Sequence, residues 1–406
     1  MRHLQNSNKR HYSQAGHTTA LWQQAFRPFF LAGALFSIVA LTLWVAVLMG
    51  WWFFTPYGNS VFWHAHEMLF GFVGAIIVGF LLTAVQNWTN QRAVNGWPLI
   101  ALFSLWLLAR VLMAMGWSVY PWLIIIVDIS FFLSAAVLMA RLVINAKNYR
   151  NLFFVPILVL LSIANFLTHL SIIDNEPSYF SWGMHSAIML VILLIVAIAG
   201  RVLPMFTANG TQTQKVNPLP WLEKMVMLST ATIVMIYLVN GSIQLPTYLL
   251  SGLFLLAASC HSYRAYRWYC HIIWSVPLVW SLHVAYWFIP LGFGLLALHF
   301  AGIAVSFSAA VHVLTTGAMG ALILAMIARV SLGHTGRPLI LNKVMVYGFL
   351  LIVLAAIIRL FTGLYPALIG VNGYLLTVVL WGIAYGLYSI SYYRILTRPR
   401  IDGREG

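Results

Sequence analysis

The chain has 406 residues, of which 62% are hydrophobic, 15% aromatic and only 7% charged. A soluble domain is about 45–50% apolar and about 25% charged, so a cytosolic globular enzyme and a disordered chain are both excluded. The net charge of +15, from 22 Lys and Arg against 7 Asp and Glu, would suggest a polyanion partner in a soluble protein, but its distribution here has another cause.

A membrane-crossing helix needs about 20 mostly apolar residues, and the chain offers twelve such runs. They are expected at 29–52, 62–87, 97–117, 119–143, 151–173, 180–206, 219–240, 244–263, 272–298, 306–330, 343–362 and 368–393. This describes an all-α, polytopic membrane bundle: a polar tail at 1–28, one transmembrane domain at 29–396 and a short tail at 397–406. The runs are continuous, not alternating, which favours helices over a barrel. The least marked divisions are the break at Gly116–Tyr120 and the ninth run, where Pro290 is placed to kink or split the helix. The N-terminal tail lacks the order of a cleaved signal and reads as solvated.

With the N-terminus in the cytoplasm, 20 of the 22 Lys and Arg sort to the cytoplasmic side. Arg110 and Arg359 fall inside spans near their outer ends, and the acidic loop with Asp174 and Glu176 falls outside. This is the positive-inside pattern, with both termini cytoplasmic. It makes the high charge an orientation signal that meets anionic lipid.

Ionisable groups inside a membrane are costly and usually functional. Of the 13 histidines, His3, His11 and His17 lie in the tail, and His261, His271 and His334 sit at cytoplasmic ends. His64, His66, His169, His185, His283, His299 and His312 fall within spans, in the outer half or near the midplane. A lone membrane histidine is more often a packing residue, and His185 and His299 are read that way. The layer as a whole favours ligation, since imidazole is the commonest metal ligand and bundles build cofactor sites from inward side chains at one level.

His64 and His66 are two apart and point to nearly opposite sides of a regular helix. They suit two adjacent centres better than one metal. Glu67, three after His64, shares its face and could take the second N–H of a metal-bound imidazole or carry protons. It is equally a first-turn carboxylate behind an Asn59 or Ser60 cap. Asn165 and His169, four apart, share a face, and Asp128 is expected to pair with Arg110. His283 and Tyr286 share a face as well; the tyrosine could supply a proton or an electron, or simply pack. Gly317 and Gly320 admit a neighbouring helix or a flat macrocycle, with helix packing the commoner use. Arg201 and Arg329 read as positive-inside anchors beside turns, or as clamps for haem propionates if a haem lay toward the inner side. Cys260 and Cys270 lie away from the layer, which excludes thiolate-held clusters and leaves haem, histidine-bound copper, or both.

Several motifs together resemble the NnrS family of bacterial haem- and copper-containing membrane proteins. They are Phe26-Arg27-Pro28-Phe29-Phe30, Trp63-His64-Ala65-His66-Glu67-Met68-Leu69-Phe70-Gly71-Phe72, and Gly79-Phe80-Leu81-Leu82-Thr83-Ala84-Val85 with Asn87-Trp88-Thr89. Further on come Gly200-Arg201-Val202-Leu203-Pro204-Met205-Phe206-Thr207, Leu282-His283 with Tyr286, and His312 with Leu314-Thr315 and Gly317-Ala318-Met319-Gly320. The last is Arg329-Val330-Ser331-Leu332-Gly333-His334-Thr335-Gly336-Arg337-Pro338. The match covers about residues 26–340; Gln86 stands where the family has a proline.

The resemblance implies twelve spans, a haem (of b type), copper, and a role in tolerating nitric oxide and nitrosative stress during denitrification, in a bacterial inner (plasma) membrane. By analogy with haem–copper oxidases and nitric oxide reductases, His283 and His312 are assigned to haem and His64, His66 and His169 to copper. Glu67 and Tyr286 then handle protons as two nitric oxide molecules take up two electrons and two protons and leave as nitrous oxide. Quinol is a candidate donor. The competing readings are a haem-based nitric oxide sensor without turnover and a twelve-span permease. The absence of repeated halves counts against the permease.

Overall fold

The computed structural model describes residues 19–116, 119–239 and 245–403. Most of the expected N-terminal tail, including His3, His11 and His17, lies outside the described residues, as do the last three residues of the C-terminal tail. Among the described residues there is no strand.

Among the described residues, twelve long helices make the bundle. They are α1 (Phe26–Leu48), α2 (Ser60–Thr89), α3 (Gly96–Met115), α4 (Pro121–Asn145), α5 (Phe154–Ile173) and α6 (Pro177–Thr211). The others are α7 (Pro220–Val239), α8 (Thr247–Trp268), α9 (Pro277–Phe300), α10 (Phe307–His334), α11 (Lys343–Leu364) and α12 (Val371–Thr397). Eleven are long and apolar enough to cross a membrane. The exception is α8, where the expected eighth span falls short because His261, Ser262, Arg264 and Arg267 make its last turns polar. It still packs along α9 as a full member of the bundle.

Consecutive helices alternate in direction. The face holding Phe26, the start of α1, is called proximal here, and the opposite face distal. Every described Lys and Arg except Arg110 and Arg359 lies toward the proximal face or in its loops. Two details differ from expectation. Pro290 does not split the ninth helix into two elements, and α9 is one helix over Pro277–Phe300 with the proline inside it. The 3₁₀ turn His271–Ser275 takes up residues 272–275, which were expected inside that span, and Pro277 starts the helix anew.

The most extensive packing joins neighbours in sequence, α5 with α6, α8 with α9 and α11 with α12, while α1 closes against α12. At the centre stand α2 and α10, whose most apolar stretches are 89% and 83% buried. Both widen into π-helix just after a histidine, at Glu67–Val73 and at Val313–Ala321. Such widening frees backbone carbonyls, and each helix has one taken by an aromatic donor. Trp106 Nε1 donates to the Gly71 carbonyl at 2.9 Å, and the Tyr385 hydroxyl to the Gly320 carbonyl at 2.8 Å.

Gly183 lets α6 close on α5. A Cβ there would collide with the Ala164 carbonyl and press on the Thr168 backbone. Gly183→Val is therefore expected to lower stability by about 1–3 kcal/mol, the usual cost of overpacking, read as a lower melting temperature in detergent. Gly252→Ala, with nothing within 4 Å, should leave the melting temperature unchanged or slightly raised.

Candidate metal centre

The distal turn of α2 begins with a side-chain cap: Asn59 Oδ1 accepts from the Val61 and Phe62 amides at 3.0 and 2.9 Å. The cap starts a helix that sends His64 one way and His66 the other. His66 and Glu67 are wholly buried and face α3, α4 and α5.

Around them is a closed network. Arg110 of α3 donates to Glu67 Oε1 at 2.7 Å and pairs with Asp128 of α4. His66 Nδ1 lies 3.1 Å from Glu67 Oε1, and its Nε2 lies 2.7 Å from Asn165 Oδ1 and 3.2 Å from Asp128 Oδ2. Asn165 Nδ2 donates to Asp128 Oδ2 at 2.7 Å, and His169 Nε2 lies 3.2 Å from the same oxygen. The expected Arg110–Asp128 pair and the shared face of Asn165 and His169 are both present.

Two carboxylates, Glu67 and Asp128, stand against one guanidinium, so the cluster is one positive charge short. Uncompensated charge is expensive in a membrane interior. Both nitrogens of His66 face oxygens, an arrangement satisfied when both carry hydrogen, and that second proton supplies the missing charge. A cation can supply it instead. One ligand atom from each of His66, Asp128 and His169 lies within 4.8 Å of the others. Glu67 Oε2 and His169 Nδ1 are buried without a partner, so the network has unused donor and acceptor capacity. Two imidazoles and a carboxylate are ligands of first-row transition metals.

Several expected site residues fall elsewhere. His64 does not join His66 and His169: it stacks on Trp44 of α1, with ring centroids 4.1 Å apart. Two residues along a helix is more than half a turn, so His64 and His66 serve different neighbourhoods. Glu67 pairs with His66, not with His64.

His283 and His312 are also apart. Phe288 packs on Gly317 and Leu314 on Gly292, so α9 and α10 run antiparallel at that register. His312 thus stands level with Gly294, roughly ten residues or about 15 Å from His283 at 1.5 Å per residue. One metal takes nitrogen ligands at about 2 Å, so these two histidines cannot share an iron. His283 belongs to the proximal half, where its Nε2 meets Thr207 Oγ1 at 2.8 Å. Gly317 and Gly320 are filled by the rings of Phe288 and Trp381, which is helix packing and not a macrocycle slot. His185 packs against Phe307 and Tyr237, and His299 Nδ1 donates to the Val305 carbonyl at 2.8 Å. These are contacts of the kind expected for packing residues.

Tyr286 is not beside the distal cluster. Its hydroxyl lies 2.7 Å from His261 Nδ1 and accepts from Arg264 at 3.3 Å. His261 was expected at a cytoplasmic end, yet it is wholly buried, with Nε2 at 3.0 Å from Thr230 Oγ1. Arg264 pairs with Glu223 at 2.5 Å. The polar end of α8 was the available signal for this proximal cluster. Arg201 is engaged by Asn151 and the rings of Phe153 and Phe154, and Arg329 lies over Phe206.

Removing Arg110 alone leaves the two carboxylates facing each other. Arg110→Met should cost about 3–5 kcal/mol, the range for stripping one partner from a buried pair, and abolish folded protein on size-exclusion chromatography. The double variant Arg110→Met with Glu67→Gln restores the wild-type charge balance. It should recover folded protein; equal loss in both would refute the charge argument.

A family model described as NnrS protein matches residues 20–400. No curated protein matches the chain.

Proposed function

The chain belongs to the NnrS family, and from that membership we propose that it is a nitric oxide-binding metalloprotein of the nitric oxide response. Copper is held by His66, Asp128 and His169 in the distal half of the bundle, and haem by His312 and His64 on the other side of α2. The proximal face is cytoplasmic in a bacterial inner membrane, a side assignment supported by the positive-inside distribution.

The observation that carries this reading is the buried His66–Asp128–His169 group, one positive charge short. His66, Asp128 and His169 would hold a metal there, whose charge would replace that of the second proton on His66. Arg110 then holds Asp128 in position, and the aromatic rings of Phe62 and Phe70 against His66 exclude water. A metal held by His66, Asp128 and His169 would supply Lewis-acid and redox chemistry toward a diatomic ligand.

For haem the donors also fit. His312 Nδ1 donates to the Ser308 carbonyl at 2.7 Å, which leaves Nε2 as a free lone pair, the usual way a ligand imidazole is fixed. His64 Nδ1 is buried without a partner. Both stand at the distal end, and His64 lies within electrostatic reach of His312. Because the body of α2 separates His64 from His66, the two centres flank one helix and do not form a single two-metal pocket.

A reductive role is favoured by one feature. Glu67 is wholly buried, with Oε1 3.1 Å from His66 Nδ1, directly beside the metal group. Reduction of two nitric oxide molecules to nitrous oxide and water consumes two electrons, from a donor such as quinol, and two protons.

Purified protein from haem- and copper-replete cells is expected to carry both metals and to change its optical spectrum with nitric oxide. Asp128→Asn and His169→Gln should each weaken copper binding at least about tenfold; iron in place of copper at this site would correct the metal alone. Colourless, metal-free protein would overturn the reading and favour a permease. Haem content should fall in His312→Ala and persist in His283→Ala, and the reverse pattern would move the haem to the proximal half. Glu67→Gln should keep both metals and lower nitrous oxide yield. An unchanged yield would remove Glu67 from proton delivery, and no yield from wild type with a reductant would leave a nitric oxide-binding protein.

A further inference from the structure

Arg359 carries a charge that nothing in the described protein balances. It lies five residues before the distal end of α11 and is 7% exposed. Its guanidinium makes no hydrogen bond or ion pair with any described residue, and Nη1 is fully enclosed. The described acidic residues are placed elsewhere. Glu67 and Asp128 are held by Arg110 on the far side of α2, Glu223 by Arg264 and Asp402 by Arg400. Asp174 and Glu176 sit in the loop between α5 and α6.

The surroundings of Arg359 are those of a site. Tyr374 of α12 lies under the guanidinium, 5.0 Å from carbon to ring centroid. That contact covers a face of the cation and leaves its N–H edge free. Tyr374 stands edge-on to Trp44 at 6.0 Å, and Trp44 stacks on His64. Arg359 lies within electrostatic reach of both His64 and His312. Helices α1, α2, α10, α11 and α12 thus bring an unpaired fork of N–H donors and two imidazole edges to one distal location. Across α2, the His66 cluster is one positive charge short; here the protein is one negative charge short.

We propose that Arg359, with His64 and His312 beside it, binds a planar monoanion whose two oxygens match the guanidinium fork. That chemistry is shared by free nitrite and by a carboxylate of a bound haem. Lysine cannot reproduce it, because its ammonium is a point charge without the fork. The assignment rests on charge and geometry alone and stands whether or not copper occupies the His66 cluster.

The test uses full-length protein in lipid nanodiscs, with nitrite as the probe. Binding is followed by equilibrium dialysis and by infrared bands of isotope-labelled nitrite and of the arginine side chain. Haem per chain is measured in parallel. If the free anion is the ligand, wild type binds nitrite and shifts the arginine band. Arg359→Gln then weakens binding about 10–100-fold, the range for losing a charged hydrogen bond, with Arg359→Lys in between and haem content unchanged. If the haem carboxylate is the ligand, wild type ignores nitrite, while Arg359→Gln loses haem and Arg359→Lys keeps part of it. The proposal is overturned if Arg359→Gln and Arg359→Met fold, retain haem and nitrite binding, and melt no lower than wild type. Should those variants fail to fold, the wild-type arginine band decides: no shift either with nitrite or on haem loading also overturns it. Copper loss in Asp128→Asn with nitrite binding intact would sink the metal reading while leaving this one standing.

Discussion

The interaction on which the distal half depends is the buried ion cluster of Arg110 with Glu67 and Asp128. Inside a membrane bundle a charge has no water to solvate it, so it must be neutralised by groups within a few ångströms. Arg110 does this from α3 for one carboxylate on α2 and another on α4, and Asn165 and His169 of α5 bond to Asp128. Four helices are thereby tied at one level. A shift of any one by a single turn, about 5.4 Å, would strand a charge. The same bookkeeping exposes what the cluster lacks. Two carboxylates and one guanidinium need one more positive charge, and the imidazole of His66, with both nitrogens facing oxygens, is placed to supply it as a proton.

Backbone geometry decides how the two central helices present their histidines. Both α2 and α10 turn π-helical directly after His66 and His312, and π segments are frequent at functional sites. The widened turns carry Gly71, Gly317 and Gly320, and rings from other helices occupy the room those glycines leave. A Cβ at Gly71 would meet Phe36 and Arg110, and one at Gly320 would meet Trp381. The glycines therefore serve the approach of aromatic and guanidinium groups, and the histidines sit at the edges of these segments.

The polar chemistry of the bundle is split between its two ends. The distal end holds the His66 cluster and, across α2, the Arg359 neighbourhood. The proximal end holds Glu223, Arg264, Tyr286 and His261, with His283 on Thr207. The same end is closed by the segment Leu396–Arg400. Arg27 at the start of α1 donates to the carbonyls of Leu396 and Arg398 at 3.0 and 2.7 Å, and Arg400 donates to the His334 carbonyl at 2.8 Å. The long Gly333-His334-Thr335-Gly336-Arg337 motif is thus a landing place for the C-terminal segment. Beside it, burial and the neighbouring Arg398 hold the Arg337 guanidinium below its ordinary pKa.

Much of this was legible in the residue order. Apolar runs determine helices wherever lipid forbids any other backbone, and sorted Lys and Arg determine how the runs alternate. The opposed directions of His64 and His66, the Asn59 cap, the shared face of Asn165 and His169, and the Arg110–Asp128 pair all follow from local periodicity or from charges that must find each other. What the order could not decide is which residues of different helices share a level. His283 and His312 each lie in a plausible span, but only the register of α9 against α10 separates them. Asp128 read as a packing acid until α2 and α5 each brought a histidine to it, and Arg359 read only as a charge inside a span near its outer end until α12 set Tyr374 beneath it. Periodicity is a property of one helix, so the sequence determined each helix and the face it presents. Register is set by side chains interlocking between helices far apart in the chain, so the composition of each site was decided only by the packed bundle.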